Sequence, residues 1–224
     1  MSEKIKKIKV ISFDLDGTLV DIVYTMWVWE RGIPELYAEK NRVSLSEAIT
    51  KVKGEYTRIS DASLKWYDID YWFNFFHLSG DWKDLMEKHR EKIHLFPEVK
   101  EVIEELNEDY ELIITSNAAR EFVEIELKVT GIEDYFSRIF SATSDFRQVK
   151  KTSQFYRKLC KTIGIHPSQM IHIGDHYKFD YLAPQPAGIE AYYLDRDGKT
   201  PENSHTVKNL KEFVKIVRHS QTKA

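Results

Sequence analysis

The chain has 224 residues, with 33 Lys plus Arg against 36 Asp plus Glu and a formal net charge of −3. That length suits one large domain, or a core with a modest insertion, and 42% hydrophobic with 31% charged residues is an ordinary globular composition. The balanced charge argues against a nucleic-acid-binding protein, the single Cys160 rules out an internal disulfide framework and a Cys-based zinc site, and no apolar run reaches the ~18 residues of a membrane span. The start is Lys-rich and then only briefly apolar, too short for a signal-peptide core, so a cytoplasmic protein is expected.

In chain order, the first strand pattern is residues 9–13, which ends at Asp14. Residues 20–92 then break the pattern. They hold all five Trp (Trp27, Trp29, Trp66, Trp72 and Trp82) and no convincing strand. Ser44 and Glu47 have capping-box spacing, and Asp81 stands where it can cap a helix around Trp82 and Leu85. A small all-helical insertion is therefore expected. Pro97 opens a helix whose Val99, Val102, Ile103 and Leu106 share one face. A strand over 111–115 ends at Ser116-Asn117. The next helix has a stripe of Phe122, Ile125 and Val129, with Gly131 as its C-cap. A strand over 138–142 follows, then a helix with Phe155, Leu159 and Ile163 before Gly164. The strand over 170–173 ends at Gly174-Asp175, and the one over 190–194 ends at Asp195. Leu210, Phe213, Val214 and Val217 form a closing helix. Short strands alternating with helices predict parallel βα units.

The polar residues fall at the ends of these strands. Ligands of open parallel sheets bind beyond the carboxyl ends of the strands, so Asp14, Asp16, Asp175 and Asp180 are expected to converge. Carboxylates crowded together repel one another unless a counter-charge is present. An all-oxygen set suits a hard cation such as Mg²⁺.

The run from Phe13 through Asp14, Asp16, Gly17 and Thr18 to Leu19 resembles the first motif of the haloacid dehalogenase superfamily, in the version with two Asp separated by one residue. Ser116-Asn117 resembles the second motif, a lysine before Gly164 the third, and Gly174-Asp175 with Asp180 the fourth. Lys150 is the better match by spacing. Lys151 adjoins it, at the place where that family usually has Pro.

The resemblance implies an α/β fold, a Rossmann-like three-layer parallel-sheet core over residues 1–19 and 93–224, with a small all-α cap over residues 20–92. It implies Asp14 as nucleophile and Asp16 as general acid and then base. Ser116 and Lys150 would hold the transferring phosphoryl group, helped by Thr18 and Asn117. Asp14, Asp16 (through its main-chain carbonyl), Asp175 and Asp180 would serve the Mg²⁺ site, Asp180 from behind the direct ligands or through water. The implied reaction is Mg²⁺-dependent hydrolysis of a small phosphorylated metabolite through an aspartyl-phosphate. A sugar-phosphate mutase or a 2-haloacid dehalogenase of the same superfamily is the alternative, and a non-enzymatic binding protein the more distant one. No nucleic-acid or membrane partner is expected, and the chain is expected to be a monomer or homodimer. The aromatic residues of the insertion are expected mostly to form its core. Trp66 or Trp72 is the candidate to face substrate, with Arg31 next. His172 is expected to pack within its strand, and His176 to be a bystander beside the crevice.

Overall fold

The computed structural model describes residues 7–200 and 203–221. Among these residues six strands form one sheet: β1 (Val10–Phe13), β2 (Glu111–Ser116), β3 (Arg138–Ser141), β4 (Met170–Gly174), β5 (Glu190–Leu194) and β6 (Thr206–Val207). Their order is β3-β2-β1-β4-β5-β6, and every pairing is parallel. Five of them lie where the apolar runs predict. The sixth is two residues long and carries no sequence signal. The helices, in chain order, are α1 (Val23–Trp27), α2 (Ile33–Asn41), α3 (Leu45–Ile59), α4 (Ile69–Phe75), α5 (Trp82–Lys88), α6 (Val99–Asn107), α7 (Arg120–Thr130), α8 (Ser153–Ile163) and α9 (Leu210–Gln221).

Strand alternation builds the layers. Ile11, Phe13, Leu112, Ile114, Ile171 and Ile173 join one core with α6, α7 and α9. The alternate residues Val10, Ile113 and Met170 join a second core with Phe155, Tyr156 and Leu159 of α8. Both faces of the sheet are covered, which is why its strands read as continuous apolar runs. The chain steps from β1 out to β2 and β3, then crosses back to β4 on the other side of β1. The connection reverses at β1, so the crevice lies beyond Phe13, Ser116 and Gly174.

Helices α1 to α5 lie between β1 and α6. The chain leaves at Val20 and returns at Leu95, where the two residues form an antiparallel bridge. The Asp21 N–H donates to His94 O at 3.0 Å, and the Phe96 N–H donates to Leu19 O at 3.0 Å. The capping box of α3 is present: the Glu47 N–H donates to Ser44 Oγ, and the Ser44 N–H to Glu47 Oε2 at 2.9 Å. Asp81 caps α5 by accepting from the Lys83 N–H.

Trp72 is fully buried within the insertion, edge-on to Tyr56 with ring centroids 4.6 Å apart, and its indole N–H donates to Trp66 O. It is a core residue and does not face a substrate. Arg31 is taken up by Glu35 at 2.5 Å on an exposed helix face.

The α7 face departs from the expected stripe. Phe122, Val123, Glu126 and Leu127 are buried, while Val129 is 38% exposed. The sequence pattern turned the helix away from Glu126, because a glutamate reads as a solvent position.

Removing the Trp72 side chain should empty the middle of the insertion's core. Trp72→Ala is expected to cost ~3–5 kcal/mol in chemical denaturation, with a smaller loss for the half-buried Trp66→Ala. Equal losses for the two would contradict this packing.

Candidate active site

Asp14 follows the last residue of β1, and its N–H donates to Ile173 O at 3.0 Å, so the ladder to β4 fixes the backbone up to the carboxylate. Gly17 turns the chain directly afterwards with φ +79°. A Cβ there would lie 2.2 Å from Asp175 Oδ2, so the turn needs glycine on both counts. The close approach brings the first and fourth motifs together. Gly174 has the same role for Asp180, whose Cγ would lie 2.5 Å from an added Cβ.

Thr18 is fully buried. Its hydroxyl lies 3.4 Å from Asp14 Oδ2 and accepts the Asp175 N–H at 3.1 Å. It ties the two acidic loops together rather than facing the crevice. Arg196 holds the same loop from behind. It donates to Thr18 O at 2.7 Å, pairs with Glu98 at 2.7 Å and stacks on Phe96. Ser116 ends β2, and its Oγ accepts the Ala118 N–H at 3.0 Å. Asn117 Oδ1 accepts the Lys151 N–H at 2.7 Å, so the second motif positions the segment bearing the lysine.

The lysine at the centre of the site is Lys151, a correction to the spacing argument for Lys150. Lys151 is completely buried. Its Nζ contacts Asp14 Oδ1, lies 2.6 Å from Asp180 Oδ1 and donates to Thr115 O at 2.9 Å. Lys150 points elsewhere. It pairs with the exposed Asp61 at 3.1 Å and lies over the Tyr67 and Phe179 rings. Lys151 stands directly before Thr152, the cap of α8, and Lys150 lies in a bend. The two neighbouring side chains diverge, and Lys151 is the one that faces the strand ends.

Asp180 is also more constrained than a simple metal ligand. Oδ1 lies against Lys151 and 3.1 Å from His172 Nε2, and Oδ2 accepts the His176 N–H at 3.0 Å. His172 continues the chain of contacts. Its Nδ1 lies 2.9 Å from Ser12 Oγ, which lies 2.9 Å from Thr115 Oγ1. This polar thread runs through the buried middle of β1, β2 and β4. The strand histidine expected only to pack is therefore bonded to the site.

Burial pushes Asp14 well above the ordinary carboxylate range. Lys151 opposes that shift, and Asp180 and Asp175 reinforce it. Asp175 is pushed up to about 7 by burial and then by Asp180. Burial alone would raise Asp180, but Lys151 and His172 outweigh it and hold that carboxyl below its usual range. Burial would likewise lower the Lys151 ammonium, and Asp14 and Asp180 reverse the shift. One ammonium thus touches two carboxylates, and at Asp175 it acts only from a distance and does not offset burial.

Asp14, Asp175 and Asp180 each offer an oxygen within 4.8 Å of the others. A hard divalent cation fits that donor set, with Asp14 and Asp175 the freer pair because Asp180 is already engaged.

Asp16 stands beside this group. Thr25 Oγ1, on α1, lies 2.8 Å from Asp16 Oδ1 and 2.9 Å from Glu126 Oε1 on α7. Burial raises both carboxyls, Glu126 the further, since Asp16 then adds to it. The sequence reading missed Thr25 and Glu126. A cleft of about 510 Å³ opens between the insertion and the core, lined by Lys65, Tyr67 and Tyr71 on one side and Glu121, Thr143 and Arg147 on the other. The Thr143 hydroxyl donates to Asn117 O, which places the cleft next to the second-motif turn.

Comparison with known proteins bears on the family and the fold. Residues 11–193 match the profile of the haloacid dehalogenase-like hydrolase family. The chain is 28% identical over 204 residues to a phosphoglycolate phosphatase of Vibrio vulnificus, covering 84% of each chain. It is 26% identical over 220 residues to the pyrophosphatase PpaX of Oceanobacillus iheyensis, covering 95% of this chain and 98% of that one. The crystal structure of a HAD phosphatase from Thermococcus onnurineus shares the fold, with a TM-score of 0.81 at 23% identity over 94% of this chain and 98% of that one.

The two adjacent lysines should separate cleanly in stability. Lys151→Met leaves two buried carboxylates facing each other and is expected to cost ~3–5 kcal/mol at neutral pH. Lys150→Met breaks a pair with an exposed partner and is expected to cost at most ~1 kcal/mol. Urea titrations of the two variants beside the parent protein measure this. The reverse ranking would place the wrong lysine in the site.

Proposed function

This chain belongs to the haloacid dehalogenase-like hydrolase family, and from that premise we propose that it is a Mg²⁺-dependent phosphomonoesterase that acts through an aspartyl-phosphate on Asp14. The observation that carries the reading is the Asp14 carboxylate at the end of the central strand, in contact with the buried Lys151 and followed two residues on by a second carboxyl, Asp16. A carboxylate of this kind can act as a nucleophile and split a hard displacement into two easier steps.

In the first step an Asp14 oxygen forms a bond to phosphorus as the bond to the leaving oxygen breaks. Asp16 delivers a proton to that oxygen. In the second step Asp16 takes a proton from water, the water oxygen bonds to phosphorus, and the bond to Asp14 breaks to release phosphate. Acid–base help of this kind contributes ~10²–10⁴-fold. Lys151 offsets the charge of Asp14 and of the phosphoryl oxygens, with Ser116 donating to the latter. Asp14, Asp175 and the Asp16 main-chain carbonyl would hold Mg²⁺, with Asp180 acting through Lys151. The bound cation would supply charge stabilisation for the phosphoryl oxygens.

Residues 20–92 serve as a cap in this reading, and the cleft beside Thr143 receives the leaving group of a small phosphorylated metabolite. Dehalogenation attacks carbon and has no need of an acid beside the nucleophile. The held carboxyl of Asp16 therefore favours phosphoryl chemistry.

Hydrolysis of p-nitrophenyl phosphate should require Mg²⁺ and stop in chelator. Asp14→Asn should reduce it to background while the circular dichroism spectrum and melting curve persist. Full turnover in chelator, or substantial turnover by the variant, would refute the mechanism.

Metal binding should also show in stability. The Asp175 carboxyl moves from 3.8 to about 7 on folding, so in that window the folded chain binds more protons than the unfolded one. Its contribution therefore favours the metal-free fold at low pH, and is lost as pH rises through the window. A cation must displace those protons. Mg²⁺ should accordingly raise Tm more at about pH 8 than at about pH 5, as read by scanning fluorimetry. A shift independent of pH would count against Asp175 as a ligand.

A further inference from the structure

Glu126 is completely buried on α7 among Phe122, Val123 and Leu127. Among the described residues its Oε2 has no donor within hydrogen-bond reach, its Oε1 lies 2.9 Å from the Thr25 hydroxyl, and its carboxyl also interacts directly with that of Asp16. Burying a carboxyl without a cation is costly, and a Leu at this place would pack with its neighbours at no such cost. Nothing in the packing of α7 calls for an acid.

The other side of Thr25 supplies a reason. The same Oγ1 lies 2.8 Å from Asp16 Oδ1. A single hydroxyl thus joins the two carboxyls, one from the loop after β1 and one from α7. A hydroxyl has one proton and two lone pairs, so it can donate to Asp16 while accepting from Glu126, whose buried carboxyl is held well above its ordinary range and keeps its proton. Thr25 is held by α7 and in turn holds one oxygen of Asp16.

We propose that Glu126, acting through the Thr25 hydroxyl, is a positioning residue that fixes the orientation of the Asp16 carboxyl. The inference rests on the reading of Asp16 as acid and base. Asp16 is partly exposed, and its side chain has bonds to rotate about. Without the Thr25 contact its carboxyl is free to leave the line of the departing oxygen. Loss of orientation should be felt where protonation of the leaving group matters: strongly for an alkyl phosphate, little for p-nitrophenyl phosphate, whose leaving group departs without a proton.

The experiment compares Glu126→Leu, Glu126→Gln, Thr25→Val and Asp16→Asn on those two substrates, with a melting curve for each variant. Glu126→Leu is expected to keep or raise Tm, to leave KM within about threefold, and to lose roughly tenfold or more in kcat on the alkyl phosphate relative to the aryl one. Thr25→Val should follow it in the kinetics. Glu126→Gln should stay near the parent protein, because an amide can both donate to and accept from Thr25. Equal loss on both substrates, a fall in Tm that accounts for the loss of activity, or a Gln variant as impaired as Leu would each overturn the inference. Asp16→Asn is the control for the underlying reading. If it shows no leaving-group dependence, the acid role of Asp16 falls and the inference with it. If it shows that dependence and Glu126→Leu does not, only the role of Glu126 falls.

Discussion

A single buried ammonium shared between two carboxylates is the constraint on which the site depends. Lys151 reaches Asp14 from one side and Asp180 from the other, and has no exposure to water. Each of these charges alone would be intolerable at that depth; together they are held by mutual attraction and by backbone bonds. The N–H groups of Lys151, Asp175 and His176 are each fixed by a side chain of the site: Asn117, Thr18 and Asp180. The loops after β1, β2 and β4 are therefore set by one network, and a shift in any of them is felt at Asp14.

The same network is short of positive charge. Asp14, Asp16, Asp175, Asp180 and Glu126 all lie within it, and among the described residues Lys151 is the lysine or arginine in direct contact with any of them. Burial raises Asp14, Asp16, Asp175 and Glu126, Asp175 to about 7, and Lys151 only partly opposes it at the three aspartates. A phosphorylated substrate would add more negative charge to the same place. Such a centre binds an anion well only when it also holds a cation, so metal and substrate would favour each other thermodynamically, by linkage through shared charge.

Legibility from sequence followed what was local. Asp14, Ser116 and Asp175 stand directly after apolar runs, so the end of a strand could be read and its crevice placed. The alternation of strands and helices gave the layers for the same reason. What failed was orientation. Lys150 and Lys151 have the same chemistry and adjacent numbers, and burial alone distinguishes them. The signal that could have helped is Thr152, whose cap position marks the start of α8 and puts Lys151 directly at the entry to that helix. Glu126 was hidden for the opposite reason. Helical periodicity assigns polar residues to solvent, and so a carboxyl placed for function in a buried face rotates the expected stripe by a residue or two. The misplaced face of α7 is itself the trace of that functional residue.

Thr25 alters the division of labour expected between core and insertion. Every motif of the resemblance lies on the core, which left the insertion with specificity alone. Yet α1 belongs to the insertion, and its hydroxyl lies between Asp16 and Glu126. Other contacts run the same way: Tyr24 packs on Phe122 of α7, and Trp29 stacks on the same ring at 5.3 Å. These aromatic contacts seat the first helix of the insertion on α7, and only a seated α1 can bring Thr25 within hydrogen-bond distance of both carboxyls. The aromatic residues at the start of the insertion are thus more than a core for their own helices. Through Thr25 they set how firmly Asp16 is held, and any movement of α1 on α7 would alter the acid–base step before it altered the fit of a substrate.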